Sequence, residues 1–108
     1  MIDGKKIKIR FKRYFKKQKL WFFVGDVQDF SENWVEVHGK GILFDTTKMK
    51  VISIDSEPIT LVCPYHNIAH IRILPGDFDF SQIETYPKDD RWFFKVEGEP
   101  DASLGEND

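Results

Sequence analysis

Between residues 6 and 12 the chain alternates, with Ile7, Ile9 and Phe11 set between Lys6, Lys8, Arg10 and Lys12. A two-residue repeat is the period of a strand, and it gathers the four bases on one face. A helix over the same stretch would align Ile7, Phe11, Tyr14 and Phe15 but leave Ile9 on the far side. It would also begin with β-branched residues, so the strand is preferred over a basic amphipathic helix lying at a membrane surface. After a turn at "FKKQK", the run "LWFFVGDVQ" is apolar at both parities. Such a strand is either central in a barrel or covered by another subunit. "DFSEN" turns the chain, because Asp, Ser and Asn bond their own backbone readily. "WVEVHGKGILF" resumes the extended pattern, with Gly39 and Gly41 marking a bulge or sharp bend.

"DTTK" leads into "MKVISID", and "EPITLVC" and "NIAHIRIL" follow with short breaks at residues 56–58 and 64–67. The closing strands should contain Ile52, Ile54, Leu61, Val62, Ile71 and Ile73. Only "DFSQIET", after Pro75 and Gly76, suits a helical turn or two, and "RWFFKV" adds a last strand. Six or seven short, closely spaced strands indicate an all-β sandwich or barrel.

Composition narrows this further. The 108 residues suit one domain. The single cysteine, Cys63, cannot form an internal disulfide, and the longest apolar run, Leu20 to Val24, is far too short for a secretory leader or a spanning helix. A soluble protein of the reducing cytoplasm is expected, with no membrane partner. The net charge of -2 hides a segregation: residues 1–19 hold nine of the sixteen bases against one acid, Asp3, leaving seven bases and seventeen acids elsewhere. From Glu97 onward there are five acids and no base, so residues 1–97 are expected to form the domain and 98–108 a disordered acidic tail.

"GDVQDFSENWVEV" and, some distance on, "PYHNIAHIRIL" resemble the two halves of the motif of the Sm-like family, which comprises Sm and LSm proteins and Hfq. Gly25, Val27, Phe30, Val35 and Val37 match the strand-bending glycine and the apolar positions of the first half. Ile68 and Ile71 match the final apolar strand, and His66 stands near the histidine that Hfq-like sequences carry before it. Departures fall on the RNA contacts: Ser31 replaces the loop's opening aspartate, and Pro64 and Tyr65 replace the Arg-Gly pair of Sm and LSm proteins. Tyr65 also replaces Hfq's lysine. The resemblance implies an all-β, bent-sheet, five-stranded barrel of Sm-like (SH3-like) type, often assembled into a ring by edge-strand pairing. Residues 40–57 form an extra inserted hairpin in that scheme, and the chain ends in a short C-terminal extension.

Other chemistry finds little footing. Cys63, His66 and His70 are zinc-compatible types at C-x2-H-x3-H spacing, but the stretch lacks a fourth ligand. "DFDFSQIE" opens like a calcium loop, yet Gln82 stands where the turn requires glycine and Lys88 where a bidentate glutamate belongs. Gly39-Lys40-Gly41 is too short to cradle phosphate, no serine sits in a nucleophile elbow, and Cys63 reads as an inert core thiol. The expectation is a non-enzyme without cofactor or metal. It self-associates, and it binds RNA or single-stranded nucleic acid with Lys6, Lys8, Arg10 and Lys12 on phosphates. Asn33, Tyr65, His66 and Asn67 form the loops that the resemblance places nearest the RNA site. Tyr14, Trp34, Tyr65 and Trp92 border turns and are candidates for stacking on bases. The alternative is an SH3-like protein-interaction or assembly module whose basic strip meets an acidic partner.

Overall fold

The alternations become strands at nearly the expected boundaries in the computed structural model, which describes residues 4–15 and 18–104. They are β1 (Lys6–Phe11), β2 (Leu20–Phe30), β3 (Trp34–Asp45), β4 (Lys50–Ile54), β5 (Ile59–Pro64), β6 (Ile68–Leu74), β7 (Thr85–Lys88), β8 (Arg91–Phe94) and β9 (Ala102–Ser103). The first six make one antiparallel sheet in the order β4-β3-β2-β1-β6. The long β3 gives its C-terminal half to β4 and its N-terminal half to β5. A single 3-10 turn at Tyr65–Asn67 joins β5 to β6, and no pairing closes these two strands on each other among the described residues. The chain is therefore all-β, as expected, but built on a bent, open sheet rather than a closed barrel.

The bend is concentrated where Gly25 faces Gly39 across the β2–β3 ladder. A Cβ on Gly39 would lie within 2.5 Å of the Gly25 Cα, and closer still to the Val24 carbonyl oxygen. Two backbones pinched this tightly admit glycine alone. A register shift between Val27 and Asp29 adds a bulge beyond the pinch.

Two cores lie on opposite faces of β2. Ile7, Ile9, Phe23, Val27, Val35, Val37 and Cys63 pack within the bend. Leu20, Phe22, Val24, Ile42, Phe44 and Leu74 point the other way and meet a second sheet, β7-β8-β9, through Phe78, Phe94, Val96, Ala102 and Leu104. The both-sided apolarity of "LWFFV" is thus met by the chain itself at Leu20, Phe22, Phe23 and Val24, while Trp21 stays 45% exposed beside Phe11.

Two expectations need correction. "DFSQIET" forms turns and then enters β7, without helix. Residues 98–104 are not a free tail: Ala102, Ser103 and Leu104 are buried, because the two apolar side chains complete the second core while β9 pairs with β8. Residues 105–108 lie outside the described residues. The closing strands contain Ile52, Ile54, Leu61, Val62, Ile71 and Ile73, as expected, and Ile52, Val62 and Ile73 stand exposed there, on open edges or at a bulge.

Candidate nucleic-acid interface

The second sheet decides which bases of β1 can meet a ligand. Lys8 is fully buried: its stem runs between the sheets, its Nζ donates to the Ser103 carbonyl at 2.9 Å and lies 5.7 Å from the Phe22 ring centre. A long aliphatic stem makes such burial tolerable when the ammonium finds an acceptor. The expectation that this face is open to solvent is therefore wrong for Lys8. Lys6 is half-buried, paired with Asp26 at 2.7 Å and placed over the Phe80 ring. These two charges are already answered within the fold.

The other end of the strip is different. Beyond Phe11 the ladder ends, and the Lys12 amide donates to the Asn67 carbonyl at 2.8 Å. The Tyr14 hydroxyl donates to Asn67 Oδ1 at 2.8 Å, while the residue as a whole stays 68% exposed. Gln18 holds the loop by accepting from the Tyr14 amide, and Arg13 Nη1 reaches Thr46 Oγ1 at 3.2 Å. Phe15 is 64% exposed beside them. Residues 10–14, with Leu20 and Ala69, line an open groove of about 530 Å³. Lys16 and Lys17, which extend the basic run in the sequence, lie outside the described residues.

The 3-10 turn links this groove to the β2–β3 turn, since the Tyr65 amide donates to the Asn33 carbonyl at 2.9 Å. Asn33 and His66 are exposed, and Tyr65 packs part of its ring against the core within the bend. Five of the eight expected contact residues, Lys12, Asn33, Tyr65, His66 and Asn67, thus gather along one end of the sheet, with Arg10 at the groove wall. Lys6 and Lys8 do not join them. Of the stacking candidates, Tyr14 alone is largely exposed; Trp92 is tied by its Nε1 to the Met49 carbonyl and packs against the second core. Sequence reasoning passed over Arg13 as a groove residue and Arg72 as a neighbour of Lys8, because only the β1–β6 register brings residue 72 opposite residue 8.

The metal-like spacing does not converge. Cys63 lies in the core within the bend, where burial pushes its thiol up from the ordinary range, while His66 faces solvent. Among the described residues no group of three or more His, Cys, Asp or Glu could hold an ion, and no helix is long and apolar enough to cross a membrane. Compared with protein-family models, with curated proteins and with solved structures, the chain finds no match.

Proposed function

We propose that the chain binds single-stranded nucleic acid, RNA above all, through the groove at the end of β1, as a protein of Sm-like type. The observation that carries this reading is Tyr14: a largely exposed ring, pinned by Asn67 and flanked by Arg10, Lys12 and Arg13. A fixed aromatic face among cations is the arrangement on which unpaired bases stack while phosphates are neutralised. The resemblance in the two motif halves and the bent sheet of β1, β2, β3, β5 and β6 support the family side of the proposal.

Anisotropy of a labelled oligouridylate tests it. Loss of one stacked base costs about 1–3 kcal/mol, so Tyr14→Ala should weaken binding by roughly 5- to 150-fold. Lys12→Ala should lower the slope of log affinity against log salt by about 0.7. A parent that fails to bind at low salt, or a doubly substituted chain that binds as the parent does, refutes the proposal.

A second reading, self-assembly, has its own support. The outer edges of β5 and β6 are unpaired among the described residues, and Ile59, Val62 and Ile73 stand exposed on those strands. Open edges carrying apolar side chains are natural sites for strand addition. Light scattering that gave one chain mass at micromolar concentration would remove this reading and leave the groove untouched.

A further inference from the structure

Lys8 and Arg72 stand directly opposite each other in the β1–β6 ladder, so both side chains project from the same sheet face. Like charges so placed destabilise a sheet unless something answers them. What answers them is the acidic C-terminal segment. The Ser103 carbonyl accepts from Lys8 Nζ at 2.9 Å, the Pro100 carbonyl accepts from Arg72 Nη2 at 2.6 Å, and Glu99 Oε1 lies 3.6 Å from the same nitrogen. The segment crosses the cationic pair through a turn at residues 97–99 and then β9, presenting oxygens of Glu99, Pro100 and Ser103 to the two cations.

Its own anchorage is short. Among the described residues β9 pairs with β8 at two positions, Phe93 with Ser103 and Phe94 with Ala102. The Leu104 amide adds a bond to the Trp92 carbonyl, and Asp101 accepts from the Val96 amide and from the Tyr86 hydroxyl. Ala102 and Leu104 supply its apolar grip.

We infer that Lys8 and Arg72 form a polyanion seat that the C-terminal segment 97–104 now fills, and that an extended phosphate chain displaces the segment to occupy it. This rests on the nucleic-acid reading, because Arg10 links the seat to the groove along the same strand. A bound strand then continues from Tyr14 up β1, over the positions that the acidic segment covers at rest. Affinity at the seat is the intrinsic affinity multiplied by the fraction of molecules in which the segment is displaced, so loosening the segment tightens binding.

The test uses the full chain, with inorganic polyphosphate as a probe that has no bases to stack. At saturating polyphosphate, the amides of Val96, Ser103 and Leu104 should exchange with deuterium faster than in the free protein. Leu104→Ala, which weakens the segment's grip while leaving Lys8 and Arg72 in place, should bind polyphosphate at least about tenfold more tightly. Unchanged or slower exchange at those amides, absence of polyphosphate binding, or equal affinity in the folded Leu104→Ala chain overturns the inference. RNA binding that depends on Tyr14 while Leu104 stays protected overturns the seat and spares the groove. The expected polyphosphate response together with RNA binding indifferent to Tyr14→Ala upholds the seat and overturns the groove.

Discussion

Substitution of Gly39 by alanine should be among the most damaging small changes in this chain. The added methyl would lie within 2.5 Å of the Gly25 Cα and nearer still to the Val24 carbonyl oxygen, both of them backbone atoms that no rotamer change can move aside. Ordinary van der Waals contact needs at least about 3.4 Å, so β2 and β3 must part by roughly 1 Å at the pinch. A backbone hydrogen bond stretched from about 2.9 Å by that amount is no longer one. Two ladder bonds flank the site, and each buried group left unsatisfied costs about 1–3 kcal/mol. Alanine's smaller unfolded-state entropy returns only about 0.4–1 kcal/mol. The net loss is therefore about 1–5 kcal/mol, at its upper end a large part of the 5–15 kcal/mol typical of a domain. Urea unfolding followed by circular dichroism measures it directly, with Gly76→Ala as control, since a Cβ there meets nothing within 4 Å. If Gly39→Ala proves within about 1 kcal/mol of the parent, the pinch is not the structural hinge described above.

Acid should loosen the second sheet. Asp101 is held below the ordinary aspartate range, first by the Tyr86 hydroxyl and then by the Val96 amide. A depressed folded-state value stabilises fully above the unfolded value near 3.9, and the benefit is lost as pH falls through the folded value. Asp101→Asn should flatten the decline of the urea midpoint below about pH 4, and an unchanged decline would show that the pairing is idle. The β7–β8 hairpin turns on Asp89 and Asp90, both at positive φ, 53° and 61°. Asp90→Gly should raise stability by about 0.5 kcal/mol, or about 2–4 °C in melting midpoint, and a fall would contradict the turn geometry.

Period two made the strands legible. Ile7 and Ile9 against Lys6 and Lys8, or Val35 and Val37 against Glu36 and His38, need no tertiary knowledge to be read as extended chain. The glycines at 25 and 39 could be read as a bend, although that they face each other depends on register, which a sequence does not display. The alternation misled at Lys8. A polar face suggests solvent, but the cover for that face comes from Phe94, Val96, Ala102 and Leu104, sparse apolar residues in an acidic stretch with too little period to declare a strand. β7 was hidden for a related reason, because Pro87 interrupts a four-residue run that survives only because it lies at the edge of its sheet. At the candidate interface, the turn-bordering residues Tyr14, His66 and Asn67 were visible as types. Their meeting was not, since 53 residues separate Tyr14 from Asn67 and only the curl of the sheet joins them.

The late position of β9 has a consequence for how the chain is made. Phe22, Val24 and Phe44 belong to a core whose last pieces, Ala102 and Leu104, follow Phe44 by about sixty residues. At a synthesis rate of roughly 5–20 residues per second, that face of β2 and β3 waits some 3–12 s on the ribosome before its cover has been polymerised. During that interval the nascent protein carries an uncovered aromatic surface beside a run of lysines, the combination that general chaperones hold. Ribosomes that stalled within residues 95–101 would release chains with the first core complete and the second open, so quality control would have to recognise these products by their stickiness.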